Sequence, residues 1–441
     1  MGAGEQVQAG FRIDFSLRDE ASLTIQGDAY YGESHADFFE FVPTPPFTSP
    51  VDARRLTNGQ NILARYSKTL REDSGLQFQL YYDRIKRDDD ILEQTQDTID
   101  FDAQHRFSPI ENHEVVWGAR YRFYTDDTVG SSTVSVNPDS RNASLYSGFI
   151  QDEIALSDDL RFIVGTKIEH NHHTDFEYQP SAKFVWRPDE RNTLWSAVSR
   201  SVRTPSRVND DLTLPAGVAM LPDGSLAFPT LFGSRSFDSE EIISYEVGYR
   251  TYISDNMTLD IATFVNDVDG VLTLETGAPF VDPAGGRAIV PLTFGNNLDG
   301  NTVGVEVVVD CRPTDFWRLV GTYSWIDMEL HLNSSSNDTT QEAEEDQTPE
   351  NQFLIRSLLD LPMDLEFDTS LRYSDSIPAF RVDSYTELDL RLGWHPTENL
   401  EVSIVGQNLL ESKHIEYVSD FIAQDVTEVE RGVYGKIRYD F

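Results

Sequence analysis

The sequence predicts an all-β fold, a transmembrane antiparallel β-barrel, on three observations. The last stretch alternates strictly. Val433, Gly435, Ile437, Tyr439 and Phe441 share one face, and Tyr434, Lys436, Arg438 and Asp440 share the other. Period-2 alternation marks a strand with two different faces. Charged residues on one face of nearly every such stretch require two solvents, lipid outside and a wet lumen inside. The second observation is that connections alternate between short turns and long polar segments. The third is that no apolar run approaches the ~20 residues of a spanning helix, and the mean hydropathy is −0.41.

Alternation and turn chemistry predict about nineteen strands. The first six are 9–18, 22–32, 61–70, 75–86, 97–107 and 113–126. Arg18-Asp19-Glu20-Ala21 turns the first pair, and long polar segments near 33–60 and 127–143 separate later ones. Next come 144–156, 160–171, 177–187 and 192–203, joined by Ser157-Asp158-Asp159 and by Arg187-Pro188-Asp189-Glu190-Arg191. Pro, Asp and Asn set such turns locally. After a long segment near 204–238 follow 239–253 and 256–274, around Ser254-Asp255-Asn256. Beyond a segment near 275–298 lie 299–312 and 316–331, where Val303, Val305, Val307 and Val309 oppose Gly304, Glu306 and Asp310. An acidic polar segment, 332–350, precedes 351–361 and 365–376. Strands 384–395, 399–410 and 432–441 close the series, with a segment near 411–431 before the last. Leu388, Leu390, Leu392 and Trp394 oppose Glu387, Asp389 and Arg391. Ionised groups on that second face are costly in a dry core unless paired, and cheap in a water-filled lumen. Trp186, Tyr252, Trp317 and Trp394 stand beside the short turns, as an interfacial girdle does. Short periplasmic turns and long extracellular loops form the outer-membrane arrangement.

The 441 residues carry a net charge of −40, which excludes nucleic acid as a partner, since that ligand requires a basic surface. The single Cys311 excludes a disulfide framework and a cysteine metal site. There is no nucleophile elbow, phosphate-cradling glycine loop or zinc-protease helix, so an enzyme is not expected and no cofactor is implied. No charged-then-apolar leader stands at Met1.

Several stretches, in order, resemble the TonB-dependent outer-membrane receptors. Leu194 to Ser206, with Ser199-Arg200-Ser201-Val202-Arg203-Thr204-Pro205, is similar to that family's mid-barrel signature. Phe149 to Ile154, Gly165 to Asn171, Tyr245 to Arg250, Val303 to Glu306 and Val405-Gly406-Gln407-Asn408-Leu409-Leu410 match further pieces. Phe441 resembles the terminal signal read by the barrel-assembly machinery. The resemblance implies a twenty-two-stranded barrel with a plugged lumen. It further implies uptake of a scarce nutrient, such as a ferric siderophore or cobalamin, energised through TonB. Implied partners are outer-membrane lipid and lipopolysaccharide, a small ligand such as an iron chelate, and the TonB complex where a plug and TonB box exist upstream. Residues 1–441 read as one barrel domain, without the plug and the first barrel strands. The alternative is a plugless barrel acting as a passive pore or as a structural partner in an outer-membrane assembly.

Among the site residues, Arg120, Arg122, Arg200, Arg203 and Arg250 are expected to face the lumen as ligand contacts. Lys167, Glu246, Glu306, Arg372, Arg391, Lys436 and Arg438 are expected on the same face. His170, His172 and His173 stand together with Glu169 and Asp175, a residue mixture suited to a transition metal. Asp88-Asp89-Asp90 and Glu342 to Asp346 offer loose Ca²⁺ contacts, without the spaced ligands of a dedicated calcium loop.

Overall fold

The structure, a computed structural model, describes residues 4–42, 44–221, 223–283, 286–418 and 426–440. Phe441, with its expected assembly signal, lies outside them, as does Met1. Nineteen consecutive antiparallel strands make the wall among the described residues. We number them β1 (Glu5–Ser16), β2 (Ala21–Phe41), β3 (Thr48–Arg71), β4 (Ser74–Asp88), β5 (Leu92–Phe107), β6 (His113–Gly130) and β7 (Ser140–Ala155). There follow β8 (Leu160–Asn171), β9 (Asp175–Trp186), β10 (Asn192–Arg203), β11 (Glu240–Ser254), β12 (Met257–Thr276) and β13 (Ala288–Thr314). The wall ends with β14 (Trp317–Leu332), β15 (Asn351–Leu361), β16 (Leu365–Ser374), β17 (Tyr385–Thr397), β18 (Leu400–Gln407) and β19 (Gly432–Tyr439). No described helix is long and apolar enough to cross a membrane.

Each strand pairs with its sequence neighbours, which satisfies the backbone without help from lipid. The period-2 reading holds along the ladders in the membrane-spanning part of the wall. Ile13 faces Ile25, Val247 faces Thr263, Leu371 faces Leu388, and Ile404 faces Gly435, all on the outer side. That side stays open, as with Phe101, Trp117, Val247 and Ile404. Trp186 and Trp394 are exposed there beside their turns. A second aromatic row runs Tyr121, Tyr146, His170 and Phe176, with ring centroids 5.0, 6.2 and 4.8 Å apart.

Connections at one end span two to five residues, as between β1 and β2 or between β11 and β12. At the other end the strands run on. β3 has 24 residues and β13 has 27, where the bilayer needs about 9–11. The expected loops near 33–60, 127–143 and 275–298 are therefore shorter, reduced to 42–47, 131–139 and 277–287. Above the lipid both faces meet water, so the hydrophobic alternation fades while the hydrogen-bond ladder continues.

The long segment near 204–238, between β10 and β11, carries structure of its own. It holds a short helix, α1 (Arg207–Asp211), and strands at Leu212–Pro215, Ala219–Met220 and Leu226–Phe232. The last of these lies parallel to 288–293 of β13. Leu212, Leu214, Leu231 and Phe237 from this segment pack with Phe38 of β2, Ala53 of β3, Ile91, Val134 and Phe294 of β13. Phe228 meets Phe41 at 5.8 Å, edge to face. Eight strands, β4 to β11, separate β3 from β12, yet inward residues of β2 and β3 share one apolar cluster with β12 and β13. The sheet curls far enough for a cap of loops to bridge its two sides across the mouth.

Arginine placed on the lipid side tests this assignment of faces. Val247→Arg is expected to lose about 2–4 kcal/mol of folding stability in vesicles, whereas arginine at the neighbouring inward Glu246 costs under about 1 kcal/mol. Urea titration followed by the heat-sensitive gel shift of a folded barrel measures both.

Candidate functional site

The site is the mouth and upper lumen, where the inward faces of the wall meet the cap. Many of the inward charges are engaged. On β5, Asp100 is 3% exposed and accepts from Arg120 Nε at 2.8 Å and Arg122 Nε at 2.7 Å, both on β6. Arg250 donates to Asp260 at 2.6 Å near the short-turn end. Arg391 joins Glu366, Asp368 and Glu401 at 2.6–2.8 Å. Such pairs let a polar wall form without unpaired charge. Trp195 lies inward over Gly248 of the next strand, where a Cβ would sit 2.2 Å from the indole. Lys183 Nζ covers the same ring at 4.5 Å.

A buried ion network fastens the cap to the wall. Arg141 at the top of β7 donates to Asp210 and Asp211 of α1, each at 2.9 Å. Arg207 donates to Asp126 of β6 at 2.6 Å and also to the Pro138 carbonyl. His173 Nδ1 lies 2.9 Å from Asp210 Oδ2. The Asp211 side chain is 1% exposed and those of Arg141 and Arg207 10%. Ser206 supports α1, its N–H and hydroxyl donating to Asn209 Oδ1 at 2.9 and 2.8 Å. Beside α1 is a cleft of ≈ 320 Å³ lined by Gln94, Gln96, Tyr124, Asn171 and His172. A second cleft, of ≈ 460 Å³, lies against the wall, lined by Glu306, Gln352, Arg372 and Tyr385.

The sequence-predicted residues separate in space. Arg120, Arg122, Arg203 and Arg250 are inward. Arg203 pairs with Glu240 at 2.8 Å while its side chain stays 70% exposed. Arg200 is a correction. It shares a face with Leu194 and Val198, pairs with Glu241, and lies 4.3 Å over the Tyr178 ring on the outer side. Its strand alternates, so it cannot share the lumen side with Arg203, three residues on. Of the three histidines, His172 and His173 stay together, with ring centroids 5.8 Å apart. His170 belongs to the outer aromatic row, while His172 and His173 both line the cleft beside α1, with His173 buried against Asp210. The strand ends at Asn171, so His170 is set by its alternation and the other two by the turn that follows. Asp89 instead closes its own turn, accepting from the Ile91 and Leu92 amides. Glu345 and Glu342 accept from the Leu330 and Leu332 amides of β14.

One cluster escaped the sequence reading. Glu387 of β17 meets His414 and Glu416, from the segment before β19, with one ligand atom of each inside a 4.8 Å span. No spacing rule joins residues so far apart; only the inward fold of the last loop does. Burial pushes the Glu416 carboxyl up, but hydrogen bonds from His414 and Arg372 outweigh it, so the group sits below the usual carboxylate range.

The chain matches the family model described as TonB dependent receptor-like, beta-barrel, over residues 2–409. It belongs to that family. As a TonB-dependent receptor-like barrel, its place is the outer membrane. An iron-regulated outer membrane virulence protein of Vibrio cholerae serotype O1 is 22% identical over 289 residues, which is 64% of this chain and 39% of that protein. The chain thus spans about two-fifths of the length of the curated relatives it matches. A siderophore receptor of Acinetobacter baumannii superposes with a TM-score of 0.74 at 12% identity, over 99% of this chain and 71% of that one. A ferric-catecholate import receptor of E. coli K12 gives 0.74 at 13%, over 99% and 74%. A copper transporter gives 0.72 at 11%, over 99% and 74%. At these identities the likeness is one of fold.

Removing the arginine that holds α1 releases the cap of this barrel. Arg141→Ala leaves Asp210 and Asp211 short of their buried partner, at about 3–5 kcal/mol. Hydrogen exchange is expected to rise over 207–237 and to stay unchanged in β15 to β18.

Proposed function

We propose that this barrel serves an outer-membrane receptor that takes up a scarce nutrient carried as a metal chelate or a corrinoid, with a ferric siderophore as the foremost case. One observation carries the reading. Loops from distant strands meet in a single apolar core over a polar, ion-paired lumen. A general pore gains nothing from such a cap, whereas a receptor needs a built surface at the mouth to hold its ligand. The names of the siderophore, ferric-catecholate and copper proteins that share the fold support this class. Described residues act as one barrel domain in this reading, seated in lipid and lipopolysaccharide, with energy supplied through TonB by the intact receptor.

Ligand enters between the cap and the wall. Arg203 and Arg235 offer guanidiniums with side chains 70% and 69% exposed, each already biased toward a carboxylate partner. An anionic chelate competes for those guanidiniums, and Arg120 and Arg122 continue the cationic lining below. The alternative, a passive pore, predicts steady ion flow and no ligand.

Binding to the purified chain in detergent tests the two. Tryptophan quenching against a panel of ferric siderophores and cobalamin is expected to give saturable binding by one member. Arg203→Ala is expected to weaken it about tenfold, roughly 1.4 kcal/mol. A large ohmic conductance in planar bilayers, with no quenching by any of the panel, overturns the receptor reading for the pore.

A further inference from the structure

We propose that Glu387, His414 and Glu416 form a binding site for a divalent first-row transition-metal ion on the lumen wall, held in its metal-free state by Arg372. The site goes beyond the uptake reading and does not depend on it. The three residues come from two elements, the wall strand β17 and the last loop, and converge where neither alone has a binding set. Glu387 and His414 are each 9% exposed, so this is not a solvated acidic face. One imidazole and two carboxylates suit a borderline ion such as Zn²⁺, Mn²⁺, Fe²⁺ or Cu²⁺.

The surroundings are built as a supporting shell. The His414 ring stacks on Tyr385 at 4.2 Å. Its Nδ1 lies 3.1 Å from Asn408 Nδ2, which also donates to the Val429 carbonyl at 3.0 Å. Asn408 is 0% exposed, and its own Oδ1 has no hydrogen-bond partner. In this arrangement the imidazole proton is on Nε2, directed at Glu416 Oε1 at 3.0 Å. Metal at Nε2 requires the other tautomer, with the proton on Nδ1. A turned Asn408 carboxamide then accepts that proton through the oxygen now lacking a partner, giving up the Val429 bond. The imidazole keeps one proton throughout, so the exchange is balanced.

Arg372 occupies the position of the cation. It donates to Glu387 at 3.0 Å through Nε and to Glu416 at 2.6 Å through Nη2. One guanidinium leaves the two carboxylates with an unmatched negative charge, while a divalent ion neutralises both. The displaced side chain has a destination. Arg372 lines the ≈ 460 Å³ cleft that also carries Glu306 and Gln352. Guanidinium and metal therefore compete for the same oxygens.

Electron paramagnetic resonance of Cu²⁺ on the purified protein in detergent, with Zn²⁺ as competitor, reads the site. The expected result is one saturable site with a single imidazole nitrogen. His414→Ala is expected to remove that nitrogen signature while the heat-sensitive gel shift shows a folded barrel. Arg372→Gln is expected to tighten binding about tenfold, the effect of one opposing charge removed at close range. His172→Ala is expected to change nothing. A nitrogen signature that survives His414→Ala, or an Arg372→Gln variant that binds metal no more tightly than the parent, overturns the proposal.

Discussion

Every feature of this molecule depends on the need to satisfy backbone hydrogen bonds in a solvent that offers none. In hydrocarbon each unpaired N–H or carbonyl costs several kcal/mol, so the chain crosses by strands that pair with their neighbours in order. From β1 to β19 the described ladders follow sequence order without a crossover. Once pairing is fixed, pleating fixes everything else about the wall. Alternate side chains meet lipid and lumen, which is why Val247 is bare outside while its neighbour Glu246 lies within.

The same constraint ends where the lipid ends, and there a second kind of structure takes over. The tops of β2, β3, β12 and β13 rise past the membrane and turn apolar residues inward, toward one another. Among the described residues that small core is where the barrel resembles a soluble protein, with Leu231 and Phe294 each 5% exposed. Around it the charges are of a different character from those of the wall. Wall pairs such as Arg250 with Asp260 are open to water, and exposed pairs contribute little. Arg141 with Asp210 and Asp211 is nearly dry, so its loss leaves a buried charge that only movement of the cap relieves.

Histidine placement shows how far local pattern can mislead. Glu169-His170-Asn171-His172-His173 looks like one ligand cluster, but β8 ends inside it: His170 turns to the outer aromatic row, while His172 and His173 stay together in the turn beyond. His414 carries no such local signal. Its neighbours Lys413 and Glu416 read as an ordinary polar loop, yet a short ladder between 413–414 and 429–430 and the buried Asn408 bring it inward against Tyr385.

The sequence by itself determined the wall. Strand number, inward and outward faces and the short-turn end were legible because alternation and turn chemistry are local properties, set by the two solvents that each residue meets. Arg120, Arg122, Arg203 and Arg250 could be assigned to the lumen for that reason. Only the tertiary structure decided what lies above and within it: the cap, the seat of α1, and the meeting of Glu387 with His414. Those depend on contacts between residues far apart in the chain, such as Phe38 with Leu231, and on where the strands outrun the membrane. Period-2 patterning carries no information about either, because beyond the lipid both faces of a strand meet the same water.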